Sequence, residues 1–165
     1  MSNELYTSLS YKNSRWNVEF GASLNGSATQ RWDSYNYTGD IYSDWAKGLG
    51  GAVKAGALYR IKSSDNAATS LYVNGAYYSR VPYSNVFFAS GNNHISEGVE
   101  NEQNYLGEAG FRSVFGRAGI EATFYASYWK NKSIMSSPYK QQESEDACKY
   151  MITGLDAFHY GVEVD

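Results

Sequence analysis

One stretch of the sequence, residues 105–128, alternates apolar and polar side chains with a period of two. Its apolar row consists of Tyr105, Gly107, Ala109, Phe111, Ala118, Ile120, Ala122, Phe124, Ala126 and Tyr128. A β-strand sends successive side chains to opposite faces, so this period predicts two strands that each have one apolar face. Gly116 lies between them, where a short turn would close a hairpin.

The second of these strands keeps its alternation from Ala118 to Tyr128. That is longer than the usual strand of about five or six residues. At a rise of ~3.3 Å per residue and a tilt near 40°, it would span about 25 Å, the height of the apolar band on an outer-membrane barrel. The strand is therefore long enough to cross a membrane.

The same alternation recurs elsewhere in the chain, at residues 4–12, 16–25, 53–62, 71–80 and 158–165. Tight turns follow at 12–15 and 63–66, whereas longer segments cover 26–50, 79–104 and 130–154. Short and long connections alternate, which places every long one on the same edge of the sheet. The pattern predicts an all-β fold, an antiparallel up-and-down meander of about seven strands that belong to a larger transmembrane β-barrel.

Charge follows the same alternation, because no residue of the apolar rows is charged. Those rows are rich in Ala and Gly, which fill a protein core poorly. Aromatic residues lie near the strand ends, as they do in interfacial girdles. A soluble antiparallel sheet alternates too. A soluble β-sandwich binding module and a small outer-membrane barrel or passive porin therefore stay open as alternatives.

Composition excludes several classes of function. The 165 residues carry a net charge of −3, which does not indicate a nucleic-acid partner. The single Cys148 cannot form an internal disulfide, and neither His94 nor His159 has a partner at metal-ligand spacing. A loop cluster of Glu143, Glu145 and Asp146 is expected to be solvated rather than to bind Ca²⁺. No Ser or Cys has the context of a nucleophile, so we expect no enzyme and no cofactor.

Four stretches carry a family resemblance. Residues 77–85 contain an aromatic–Arg–x–Pro strand end, and residues 100–112 read "NEQNYLGEAGFR" after an initial Glu. Residues 124–132 form an aromatic-rich strand that ends in "WKNK", and residues 161–165 read "GVEVD". In this order and spacing they resemble the barrel of TonB-dependent outer-membrane receptors, in a style most like those of Bacteroidetes-type bacteria. The start of the chain has no export signal, so residues 1–165 are expected to be an internal part of that barrel domain.

The resemblance implies a wall segment of an active importer in the Gram-negative outer membrane. Its cargo would be a scarce nutrient such as a siderophore, haem, cobalamin or an oligosaccharide. The implied partners are membrane lipid, the nutrient, a possible surface lipoprotein, and the TonB complex acting through a plug domain that residues 1–165 lack. Family barrels have 22 strands around a plugged lumen, so about seven strands would be part of one.

The resemblance also places ligand contacts near the outer mouth and on the long loops. The residues concerned are Arg80, Tyr83, Asn85, Phe87 and Phe88 at the mouth, and the loop aromatics Trp32, Tyr35, Tyr37, Tyr42 and Trp45. The loop aromatics have an alternative interpretation, in which they pair across two extended strands and simply lengthen the hairpin.

Overall fold

The computed structural model describes residues 2–64, 66–88, 92–136 and 151–165 and contains one seven-stranded antiparallel sheet. Its strands pair in chain order: β1 Ser2–Lys12, β2 Trp16–Thr29, β3 Ala46–Ser64, β4 Ala67–Arg80, β5 Glu102–Phe115, β6 Ala118–Met135 and β7 Met151–Val164. One short helix, α1 (Ser84–Phe87), lies between β4 and β5. The predicted all-β antiparallel meander is confirmed.

Several strands extend beyond their predicted ends. β2 continues to Thr29 and β3 begins at Ala46, so their ladder includes both ends of the predicted loop 26–50. The ladder needs only peptide N–H and C=O groups, so it continues where the side-chain alternation has stopped. For the same reason, β6 and β7 extend into the predicted loop 130–154.

The connections separate two edges of the sheet. The strand ends on one side of the sheet are joined by the short connections 13–15, 65–66 and 116–117, and this side is called the turn edge. The opposite strand ends are joined by the connections 30–45, 81–101 and 136–150, and that side is called the loop edge. At the turn edge, the side chain of Asn13 accepts hydrogen bonds from the backbone N–H groups of Arg15 and Trp16, at 2.9 and 2.7 Å. Gly116 adopts a φ of 58°, which a residue without Cβ does at little cost in a two-residue hairpin turn.

The strand register aligns the predicted apolar rows across the sheet. One row runs through Val18, Ala57, Val73, Ala109, Phe124 and Val162. The next rows run through Phe20, Ala55, Gly75, Gly107, Ala126 and Tyr160, and through Trp16, Tyr59, Leu71, Phe111, Ala122 and Val164. These rows form one continuous surface, which is called the apolar face; the opposite side is the polar face.

Aromatic side chains border the apolar face at both edges. Near the loop edge, the ring of Tyr105 lies 4.9 Å from that of Tyr77 and 6.3 Å from that of Tyr128, measured between centroids. Near the turn edge, the rings of Trp16 and Tyr59 are 4.7 Å apart. The two borders are six residues apart along a strand, which is about 20 Å.

Protein packing is concentrated at the loop edge rather than on the apolar face. Val73, Phe124 and Tyr160 are 56%, 55% and 69% exposed. Within the described ranges, the buried hydrophobic residues are Ala46, at the start of β3, and Val86, Phe87 and Phe88, at α1. No described helix is long and apolar enough to cross a membrane.

On the polar face, large side chains lie over glycines at paired positions of neighbouring strands. Tyr72 covers Gly110, and Tyr125 covers Gly161. The hydroxyl of Tyr72 donates to Glu121 at 3.1 Å and also contacts the hydroxyl of Thr123. The missing Cβ thus gives each ring its place against the backbone of the next strand.

This arrangement predicts opposite outcomes for two glycines of β5. A Cβ at Gly110 would lie 2.6 Å from the backbone oxygen of Ala122 and 2.5 Å from the Tyr72 ring, whereas a Cβ at Gly107 meets nothing within 4 Å. We expect Gly110→Ala to lower the free energy of unfolding by about 1–3 kcal/mol. Gly107→Ala should leave it within about 1 kcal/mol of the original value. Urea titration of the folded protein measures both, and equal losses would contradict the close approach at Gly110.

Candidate functional site

Two of the predicted site residues, Arg80 and Tyr83, lie together at the loop edge. Arg80 ends β4, where it forms an ion pair with Glu102, its partner in the ladder on β5. Its guanidinium also donates to the Tyr83 hydroxyl at 3.2 Å and lies 4.8 Å from the centre of that ring. Glu102 in turn accepts a hydrogen bond from the backbone N–H of Ser133, at 3.1 Å. The charge of Arg80 is therefore balanced, and the exposed ring of Tyr83 is held in place.

The other predicted residues of this connection differ in exposure. Asn85 is exposed on α1, whereas Phe87 and Phe88 are each only 8% exposed. The two phenylalanines pack with Ala46, Val81 and Val99 in a small cluster. They attach the second long connection to the start of β3, and a ligand contact by these residues stays a prediction.

The first long connection carries the predicted aromatic residues Trp32, Tyr42 and Trp45. Trp32 and Tyr42 form an isolated antiparallel bridge, the arrangement expected if the loop aromatics pair across extended strands. They nevertheless remain 62% and 53% exposed, and Trp45 is exposed as well. Tyr37 joins the first two long connections, because its hydroxyl accepts a hydrogen bond from the backbone N–H of Asn93 at 3.2 Å.

A buried carboxylate organises this first connection. One oxygen of Asp33 accepts from the backbone N–H groups of Tyr35 and Asn36, at 3.1 and 3.0 Å. Its other oxygen accepts from the side-chain amide of Asn36 at 2.8 Å and from Arg31 at 3.0 Å. These bonds favour the charged form, with the Asn36 side chain contributing most, and they lower the pKa of Asp33 below its usual 3.8.

A groove opens on the polar face near the loop edge, with a volume of about 460 Å³. Tyr78 and Trp129 flank Asn104 in one row of the ladder, on β4, β6 and β5 respectively. The side-chain oxygen of Asn104 is buried and has no hydrogen-bond partner within the part of the chain that the structure describes. The groove therefore combines two aromatic side chains with an unused polar group.

A β-bulge places a cation in this groove. Trp129 pairs with Ala157 and Lys132 with Leu155, so β6 advances by three residues where β7 advances by two. The extra residue turns the side chain of Lys132 to the polar face, the face on which Trp129 lies. The Nζ of Lys132 is 3.9 Å from the centre of the Trp129 ring. Without the bulge, strict alternation would direct Lys132 to the side of Tyr128, the apolar face.

Acidic residues hold the bulge in place. Asn131 has a φ of 56°, in the left-handed region that asparagine tolerates better than most residues. Its side chain donates to Glu100 at 2.6 Å, and its backbone N–H donates to Asp156 at 3.1 Å. Asp156 also accepts from the hydroxyl of Tyr128, at 2.7 Å. The bulge is thus connected to the second long connection and to β7.

The sequence pattern does not predict this groove. It assigns residues 130–154 to a loop, so neither the bulge nor the position of Lys132 follows from it. The left-handed tolerance of Asn131 is the only local signal. Among the described residues, no group of three or more His, Cys, Asp or Glu side chains could hold a metal ion. Glu143, Glu145 and Asp146 lie outside the described residues.

Comparisons of the chain with protein-family models, with curated proteins and with solved structures found no match. The candidate site therefore depends on its own geometry and chemistry.

The bonds to Asp33 predict a pH dependence in the first long connection. A carboxylate whose pKa is lowered by folding stabilises the fold above its unfolded pKa, and this contribution is lost as pH falls through the lower folded value. We expect hydrogen-exchange protection at Tyr35 and Asn36 to be full at pH 7 and to fall below pH 3.8. Asp33→Ala removes the acceptor and should remove the protection at pH 7. Asp40→Ala, an exposed control in the same connection, should keep it, and equal effects would contradict the role of Asp33.

The bulge predicts a difference between two substitutions of Asn131. Asn131→Gly and Asn131→Val both lose the hydrogen bond to Glu100, so that bond does not contribute to the difference between them. Because a β-branched residue is strained at positive φ, Asn131→Val should have a free energy of unfolding about 1–3 kcal/mol lower than Asn131→Gly. Urea titration of the two folded variants measures the difference. Equal stabilities would show that position 131 does not need a positive φ.

Proposed function

We propose that the chain is a wall segment of a TonB-dependent outer-membrane transporter that imports a scarce nutrient. The single observation that carries the proposal is the apolar face, a surface six strands wide, from β2 to β7, that is exposed and aligned in register. Hydrocarbon tails are the solvent that such a surface fits best, because burying it there removes apolar area from water.

The arrangement of charge supports a lipid contact. A basic residue at the bilayer midplane on the lipid side costs about 2–4 kcal/mol, and the rows between the aromatic borders contain no charge. The borders themselves have the positions of the aromatic girdles that lie at the two membrane–water interfaces. Charged side chains such as Glu19, Lys54 and Glu108 lie on the polar face, which would line the lumen.

Strand direction supports a larger barrel over a closed barrel of these seven strands. In an antiparallel meander, β1 and β7 run in the same direction. Closing the described sheet on itself would require one parallel pair, whereas an odd number of further strands allows every pair to be antiparallel. Pairing the two outer strands, β1 and β7, with such further strands would also satisfy their backbone N–H and C=O groups, which lipid cannot do.

The transport partners come from the family resemblance. A plug domain would fill the lumen, the TonB complex would act on that plug, and a surface lipoprotein would meet the loop edge. The nutrient would arrive at the same edge, where Tyr83, Trp32 and Tyr42 are exposed. No chemical step is required of this segment, whose role would be to form the wall and to contact the cargo.

Two substitutions to arginine on opposite faces test the lipid contact. Val73→Arg places a charge on the exposed apolar face, and we expect it to reduce assembly of the full-length protein in the outer membrane at least tenfold, since the cost is about 2–4 kcal/mol. Leu58→Arg makes a similar change on the polar face, in a cavity that Glu19, Glu108 and Glu121 also line, and should assemble normally. Assembly is measured as the heat-modifiable, protease-protected fraction in outer-membrane preparations.

Equal effects of the two substitutions would contradict the assignment of faces. Assembly of both variants as folded protein in water, without detergent, would favour a soluble β-sandwich binding module instead. A barrel that conducts ions freely once reconstituted would favour a passive porin.

A further inference from the structure

We propose that the groove between Tyr78 and Trp129 binds an anionic group attached to a planar ring, and that Lys132 is the cation that recognises it. This inference depends on the proposed transport function and specifies the ligand class that the polar face would contact. It follows from the position of Lys132, from the charges around it and from the side chains beside it.

The bulge gives Lys132 a fixed position in the groove. Its ammonium lies 3.9 Å from the centre of the Trp129 ring, a cation–π contact that holds the charge before any ligand arrives. The side chain is half-buried, which reduces the water around the charge. An anion that reaches this ammonium therefore meets a preorganised partner.

The other cations near the groove are placed differently. Arg80 is paired with Glu102, whereas Lys130 is exposed on the side of the apolar face. Lys132 forms no ion pair within the described ranges. Besides Glu102, the carboxylate that lines the groove is that of Glu4, on β1. The positive charge left unbalanced beside Trp129 is thus that of Lys132, and an anionic ligand would balance it.

The side chains beside Lys132 fit a planar ring. Tyr78 and Trp129 are two strands apart, which corresponds to about 10 Å between their backbones. A ring has room between them above Asn104, where it can stack on an aromatic face.

The need to keep the charge of Lys132 out of lipid does not explain the bulge. Lys130 pairs with Gln103 one step beyond the aromatic border, on the side of the apolar face, and it is exposed there without any bulge. Lys132 is two residues closer to the loop end of β6, so it could face the same side equally well. The left-handed conformation of Asn131, held by Glu100 and Asp156, instead directs this lysine into the groove.

Binding of two matched probes tests the proposal. The probes are 2-naphthoate and 2-naphthamide, which share a ring system and differ in charge, titrated against the full-length protein in detergent with tryptophan fluorescence as the readout. The naphthoate should bind about tenfold more tightly, as expected for one charge-assisted contact. Lys132→Gln should abolish the difference, and Lys132→Arg should restore it. Lys54→Gln is the matched control, because Lys54 also lies over an aromatic ring of the polar face, 5.9 Å from the centre of Tyr6. It should keep the difference.

Three outcomes would overturn the proposal. These are equal binding of the two probes, a preference that persists in Lys132→Gln, and a preference that Lys54→Gln removes as well. Failure of the transport proposal is recognised separately, because it appears in the assembly of the Val73→Arg and Leu58→Arg proteins and not in probe binding.

Discussion

The antiparallel ladder of backbone hydrogen bonds is the interaction on which the rest of this structure depends. It aligns side chains from seven strands into rows, and a slip of one residue between any two strands would move a whole row to the other face. Register shifts occur near the ends of the ladder, between Arg60 and Lys62 at the turn edge and from Trp129 to Ile134 at the loop edge. The middle of the sheet is therefore regular, and the apolar face there is continuous.

The two faces of the ladder are built by different means. The apolar face needs no precise fit between side chains if its surroundings are fluid hydrocarbon, so Ala and Gly are tolerated among its valines and aromatics. The polar face has specific contacts instead, such as Tyr72 over Gly110 with its hydrogen bond to Glu121. The sheet therefore has specific contacts on one side and an exposed apolar surface on the other.

Among the described residues, the first two long connections are held by specific contacts. Asp33 organises the first long connection, the cluster around Phe87 attaches the second, and Glu102 joins β4, β5 and β6 through Arg80 and Ser133. Exposed rings such as Tyr83 and Trp32 therefore belong to segments that are held by contacts with Arg80 and Tyr42. A ligand arriving at this edge would meet positions that are already set, which lowers the entropy cost of binding.

The two-residue period of the sequence by itself determined much of this protein. The alternation that recurs along the chain predicted the strands and the faces of their regular parts, because a strand has only two sides. The alternation of short and long connections predicted their order as a meander. It also predicted that Arg80 and Tyr83 lie near one edge. Tertiary structure alone decided which of the predicted site residues are buried, since Phe87 and Phe88 pack against Ala46 through contacts distant in sequence. It alone decided the position of Lys132 as well, because a bulge depends on how two strands pair and leaves almost no trace in the pattern of one of them.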